Sequence, residues 1–218
     1  MNKKIFKNKK YIGSGLFGDC YELTNGDVLK IFKMPQSISN IKKYKLFQNY
    51  QNESIMFPYD FYVKHRKFLG YISKKAPGKG LDESLKLYNL EDLSKDLFKL
   101  DRDVMHISGG GIIMRDVHSD NVFYDGNKYS IIDTDAYKFC DEDFDQVSIY
   151  CDNIRKVKSA IFESIYENFV IDKDTRLYHE LRKYCIWNYD IGEALLNISN
   201  KIEEYNIDKD KFIKKLKR

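Results

Sequence analysis

Met114-Arg115-Asp116-Val117-His118-Ser119-Asp120-Asn121 is followed, after two short β-prone runs, by Ile131-Ile132-Asp133-Thr134-Asp135. The runs cover Val122 to Tyr124 and Tyr129 to Ile132, and Asp125-Gly126-Asn127 supplies the turn between them. The pattern is therefore an Asp, four residues, an Asn, a β-hairpin, and an Asp preceded by two apolar residues. Such spacing suits one chemistry well. A first carboxylate can orient an attacking hydroxyl and accept its proton, while an amide and a second carboxylate hold Mg²⁺ on nucleotide phosphates. Asp116, Asn121 and Asp133 fill those three roles in order.

Near the N-terminus, Gly13-Ser14-Gly15-Leu16-Phe17-Gly18 is a GxGxxG stretch whose glycines let the backbone approach a phosphate and aim amide N–H groups at it. The same stretch in a dinucleotide-binding fold has to open a helix within a βαβ unit. Here it lies between β-prone runs: Tyr11-Ile12 before it, then Cys20 to Leu23, the turn Thr24-Asn25-Gly26-Asp27, and Val28 to Phe32. An antiparallel meander with a glycine loop is the expectation, and Val28-Leu29-Lys30 places a lysine on the following strand among apolar neighbours.

Ser37 to Tyr50 carries Ile38, Ile41, Tyr44 and Phe47 at helical spacing behind a Ser cap. A second hairpin is expected from Phe61 to Val63 and Phe68 to Ser73 around Lys64-His65-Arg66-Lys67. Ala76-Pro77-Gly78-Lys79-Gly80 breaks the pattern, so a first unit over 1–75 and a second over 76–218 are expected. The pattern turns helical from Leu81 through Met105 and again after Asp152. The fold class is α+β, with a β-rich first third bearing one helix and a mainly helical remainder.

With GSGLFG, VLK, RDVHSDN and IIDTD in order over residues 11 to 135, the chain resembles the protein-kinase-like superfamily. The resemblance implies a bilobal kinase-like fold with a shortened second lobe, and a divergent, minimal Ser/Thr-kinase-like enzyme using ATP and Mg²⁺. It implies catalytic roles for Asp116, Lys30 and His118, with Asn121 and Asp133 as metal ligands. Gly13, Ser14, Gly15 and Gly18 would cover the phosphates, and Lys30 would contact the α- and β-phosphates. An acid of the first-unit helix would pair with Lys30, and Glu53 is the only acid between Val28 and Tyr59. Cys20 and Val28 would lie above the adenine and Phe123 below it, with backbone near Lys74 and Ala76 at its polar edge. Asp152 would brace the catalytic loop from the start of a buried helix; the other use of such an Asp is as an N-cap.

Three departures shape the functional expectation. Met114 stands where the family usually has His, Thr134-Asp135 where it has Phe-Gly, and His118 where Ser/Thr kinases carry Lys. His two residues after the catalytic Asp is similar to the aminoglycoside and choline phosphotransferases. A small-alcohol kinase therefore stays open beside a protein kinase, as do a nucleotide-binding pseudokinase and a DxD glycosyltransferase built on Asp133-Thr134-Asp135. The glycosyltransferase leaves GSGLFG and Asn121 without a role, and the intact Lys30, Asp116, Asn121 and Asp133 argue against the pseudokinase. The expected partners are ATP and a protein substrate or small hydroxyl compound. Only 18 residues separate Asp133 from Asp152, without a proline and with the acidic run Asp141-Glu142-Asp143. That leaves little material for a peptide platform; Arg115 is a candidate partner for the acidic run.

Bulk properties agree with a globular enzyme of 218 residues, 43% hydrophobic and 32% charged. The 37 basic and 33 acidic residues leave a formal charge of +4, too mild to argue for nucleic-acid binding. Basic runs at Asn2 to Lys10 and Lys211 to Arg218 read as solvated tails. No apolar stretch reaches the roughly 18 residues that span a bilayer, and no signal-peptide pattern opens the chain, so a cytoplasmic protein without membrane contact is expected. Cys20, Cys140, Cys151 and Cys185 form no CxxC pair, so they are read as reduced thiols.

Overall fold

Leu29, Lys30 and Phe32 are buried on a strand whose neighbours close in from both sides, and that strand organises the first unit. In the computed structural model the described residues are 8–88, 92–93, 96–140 and 145–169, with 193, 197 and 200; for 165–169 only the backbone is described. The expected features at Asp141 to Asp143, Cys185 and Lys211 to Arg218 lie outside them. The chain divides into two units between Ala76 and Pro77.

The first unit is an antiparallel sheet of β1 (Lys10–Ser14), β2 (Gly18–Glu22), β3 (Val28–Ser37), β4 (Pro58–Lys64) and β5 (Lys67–Ser73), in the order β1-β2-β3-β5-β4. The turn after β2 forms because Gly26 takes φ +83° and the Asn25 side-chain oxygen accepts the Asp27 amide at 3.3 Å. The β4–β5 hairpin turns on His65 and Arg66, at φ 50° and 58°. His is tolerated in the left-handed region but Arg is not favoured there, so the pairing of the strands contributes more than the turn chemistry to this hairpin.

Ser37 caps the entry to the helical segment, its hydroxyl accepting from the Ser39 amide at 3.3 Å. A 3-10 turn (Ile38–Asn40) leads into α1 (Ile41–Phe47), which buries Ile41, Tyr44 and Phe47. Tyr44 meets the sheet through Phe68 and Tyr71, with ring centroids 5.4 and 5.6 Å away, and Phe47 stacks on Phe57 at 4.9 Å. Fully burying one such ring is worth about 1.5–3 kcal/mol. This aromatic layer fixes α1 on the sheet face that also carries Lys30, because Lys30 and Tyr71 are direct cross-strand partners. Leu23, Leu29 and Ile72 form a separate small apolar cluster with Ile31, Tyr59 and Tyr62 packed on it.

Among its described residues the second unit has two short sheets and two main helices. β6 (Lys79–Gly80), β8 (Val122–Tyr124) and β9 (Tyr129–Ile131) form one sheet, and β7 (Ile112–Ile113) pairs with β10 (Lys138–Phe139) in the other. The β8–β9 hairpin follows the sequence expectation. β6, β7 and β10 are too short to show a period of two, and their pairing is made by distant chain segments. The helices are a single turn α2 (Leu81–Ser84), then α3 (Leu97–Gly109) and α4 (Gln146–Phe169). α3 buries Leu97, Leu100, Val104 and Ile107, the i, i+3, i+7, i+10 stripe of an amphipathic helix.

Helix α4 starts earlier than the sequence suggests. Asp145 caps it, accepting the Val147 amide at 3.0 Å and the Ser148 hydroxyl at 2.6 Å, and these bonds hold its carboxyl below the usual range. Asp152 is therefore inside the helix and is not its N-cap. No helix among the described residues is long and apolar enough to cross a membrane.

Candidate functional site

In the first unit, register alone brings several expected residues to one sheet face. Cys20 is the cross-strand partner of Lys30, and Val28 lies two residues before it, so the three side chains share a face. Lys30 is only 5% exposed, a burial that an ammonium tolerates only where partners satisfy it. Its backbone is gripped from both sides. A Cβ at Gly70 on β5 would sit 2.0 Å from the Lys30 carbonyl oxygen, and one at Gly18 on β2 would sit 2.6 Å from the Ile31 carbonyl oxygen. The sequence assigns Gly18 to phosphate, whereas Gly70 carries no local signal, because its close neighbour on β3 is set by strand pairing.

The glycine loop closes tightly. Gly15 N–H donates to the Gly18 carbonyl at 2.9 Å, and the Ser14 hydroxyl donates to Asp19 Oδ1 at 2.6 Å. Gly13 and Gly15 meet no steric obstacle of their own. Leu16 and Phe17 at the loop tip are exposed. Lys74 is exposed and Ala76 buried at the end of the unit. Glu53 is exposed on the segment after the 3-10 turn Gln48–Tyr50, past the end of α1, while Lys30 is buried.

In the second unit the loop between β7 and β8 carries Asp116, His118 and Asn121. Asn121, 7% exposed, uses Nδ2 twice, donating to the Asp116 carbonyl oxygen at 3.0 Å and facing His118 Nε2 at 2.9 Å. A carbonyl oxygen can only accept, so the amide orientation is fixed by chemistry. His118 Nε2 is then the lone-pair nitrogen, and the ring proton sits on Nδ1, 3.6 Å from Asp120 Oδ2. Both amide protons being used, Asn121 offers Oδ1 to a ligand.

Asp116 and Asp133 take φ 58° and 56°, the left-handed region. For each this costs on the order of 1 kcal/mol relative to ordinary backbone. Asp133 precedes a 3-10 turn (Thr134–Ala136) yet makes no side-chain cap bond to it. Tyr137 is fully buried, and its hydroxyl is pushed well above its ordinary pKa by burial and then by the negative charges of Asp133 and Asp116. One buried phenol thus feels both carboxylates. Phe123 is half-buried on β8 opposite Ser130.

The loop is braced from α4 by Asn153 rather than by its neighbour Asp152. Asn153 Oδ1 accepts the Met114 amide at 2.8 Å, and Nδ2 donates to the Ile112 carbonyl at 2.7 Å and the Ser108 hydroxyl at 2.9 Å. Asp152 binds Arg155 and Lys156 of its own helix. Burial works against its charge, but those two cations hold its carboxyl below the usual range. Lys156 also donates to the Met114 carbonyl at 2.7 Å, so Asp152 reaches the loop only through that lysine.

Asn121 and Asp133 can supply two oxygen ligands. That fits Mg²⁺, which takes few protein carboxylates and completes its shell with water and phosphate oxygens. Among the described residues no group of three or more His, Cys, Asp or Glu is placed to hold a metal by itself. No protein-family model matches the chain, and no curated protein is detectably similar to it in sequence.

Proposed function

We propose that the chain is an ATP- and Mg²⁺-dependent phosphotransferase that moves the γ-phosphoryl group to a hydroxyl, on the protein itself or on a specific partner. The observation that supports this best is the pair of left-handed aspartates, Asp116 and Asp133, with the buried amide of Asn121 bonded to the Asp116 main chain. Backbone strain of this kind persists where the surroundings over-determine it, which is common at reacting groups.

In this reading the acceptor oxygen attacks the γ-phosphorus, the new P–O bond forms, and the bond to the β–γ bridging oxygen breaks to release ADP. The hydroxyl proton passes to the Asp116 carboxylate. Asn121 Oδ1 and Asp133 would hold Mg²⁺, which when bound would neutralise charge on the phosphates. Lys30 and the amides of residues 13–18 bind the phosphate oxygens. His118 acts through Asn121, whose oxygen it keeps turned outward.

The choice of acceptor draws on the segment after Asp133. Residues 134–136 form a 3-10 turn, Tyr137 is buried, Lys138–Phe139 pair with β7, and residues 146–169 form α4. These described residues leave little to dock an extended peptide, which favours self-modification, a folded partner or a small hydroxyl compound over generic peptide substrates.

ATP with Mg²⁺ is expected to raise the melting temperature of the wild type by an amount set by RT ln(1 + [L]/Kd), and Lys30→Met and Asp133→Asn are expected to reduce that rise. No shift at millimolar ATP with Mg²⁺, or a shift with UDP-sugars and Mn²⁺ instead, would overturn the reading. A second expectation concerns His118. His118→Leu removes the acceptor beside Asn121 and should raise the Mg²⁺ concentration needed for nucleotide binding about tenfold, the usual effect of losing an orienting partner of a metal ligand. His118→Gln keeps an acceptor and should stay near wild type in the same calorimetric Mg²⁺ titration.

A further inference from the structure

The formal charge of +4 conceals a division between the two units. Residues 1–76 hold 15 basic and 5 acidic residues and residues 77–218 hold 22 and 28, so the units carry +10 and −6. Within the first unit the signs are sorted again along the strands. Lys74 and Lys75 pair with Asp27 and Glu22 at one end of the sheet. The stretches that run to the other end, Val28 to Asn52 and Phe61 to Ser73, contain no acid at all.

At that other end Ser37 of β3 is the direct partner of Lys67 on β5, and Lys67 is the direct partner of Lys64 on β4. Like charges set opposite each other weaken a sheet, and two more basic residues, His65 and Arg66, close the turn between them in left-handed backbone. All four are exposed. Beyond Ser37 the 3-10 turn and α1 bury Ile41, Tyr44 and Phe47 and leave Ile38, Lys42, Lys45 and Leu46 exposed. Met34, 80% exposed where β3 shifts register against β5, and Val63, beside Lys64, add further apolar surface.

Positive charge without acids, interspersed with exposed aliphatic side chains, discriminates between anionic partners. A phosphodiester backbone uses the cations alone, and base stacking needs exposed rings, whereas Tyr44, Phe47 and Phe68 are buried. An anionic bilayer uses both features: its headgroups attract the cations, and the aliphatic side chains enter the boundary between headgroups and acyl chains. We infer that the β4–β5 turn and the outer face of α1 form a docking surface for an anionic lipid bilayer, on which the chain sits peripherally. This surface needs no nucleotide, so its test is separate from that of phosphotransfer.

The test is cosedimentation of the full chain with vesicles of phosphatidylcholine and phosphatidylserine in a two-to-one ratio, against vesicles of phosphatidylcholine alone. Wild type is expected to bind the mixed vesicles and not the neutral ones. Binding should weaken as salt rises to physiological strength, where exposed charges are screened over about 8 Å. Lys64→Gln with Lys67→Gln should lower the partition coefficient about 25-fold, about fivefold for each cation removed from the surface. Met34→Ser with Ile38→Ser should lower it at least about tenfold and leave its salt dependence as it is. All four side chains are exposed, so melting temperatures near wild type are expected for both variants. Equal binding to neutral vesicles, binding to neither, or binding that both pairs of substitutions leave unchanged would overturn the inference. A gel shift with duplex DNA or single-stranded RNA, without binding to the mixed vesicles, would assign the surface to nucleic acid and overturn it too.

Discussion

Asp116→Asn is expected to lower turnover by about 10² to 10⁴, the usual worth of a positioned base, with ATP affinity changed less than about threefold. Asparagine is the clean probe here for a structural reason. At φ 58° the position favours Asn or Asp over other side-chain-bearing residues, so Asn keeps the backbone where Ala would add strain. The bond from Asn121 goes to the Asp116 main-chain oxygen, which the substitution leaves in place. Single-turnover transfer of the labelled γ-phosphoryl group from radiolabelled ATP to the acceptor measures the effect. Undiminished transfer in the variant would show that the proton goes elsewhere.

Asn153→Ala should be the most damaging single substitution in the second unit. It strands the Met114 amide and the Ile112 carbonyl in a site that is 0% exposed, and a buried group left without its partner costs about 1–3 kcal/mol. Together the two losses come to about 2–6 kcal/mol, a large fraction of the 5–15 kcal/mol typical of a domain. The adjacent Asp152→Ala breaks a tie to the largely exposed Arg155 and one to Lys156, and should cost less than about 1 kcal/mol. Urea denaturation midpoints of the two variants, side by side, decide which neighbour braces the loop. A larger loss for Asp152→Ala would reverse the assignment made here.

The parts legible in the sequence were those written in local patterns. The β2–β3 turn, the helix after Ser37 and the β8–β9 hairpin each carry their own turn or period signal. The spacing of Asp116, Asn121 and Asp133 singles them out, and the structure holds Asn121 against Asp116 and sets both aspartates in the left-handed region. What the sequence hid is non-local. Asn153 looks like any polar residue beside a more conspicuous Asp, and only the packing of α4 against β7 shows which of the two points inward. Asp27 reads as a turn residue until Tyr59 and Lys74 converge on it. β7 and β10 pair across more than twenty residues and leave no periodic trace.

The squeeze around Lys30 bears on how sequence variation in related chains should be interpreted. Gly70 touches no reacting group, yet its place is closed to every larger residue because a backbone carbonyl occupies the space a side chain would need. Selection would hold such a position as firmly as it holds a catalytic one. An invariant glycine there would reflect the spacing of two strands, and its invariance alone would say nothing about nucleotide or acceptor.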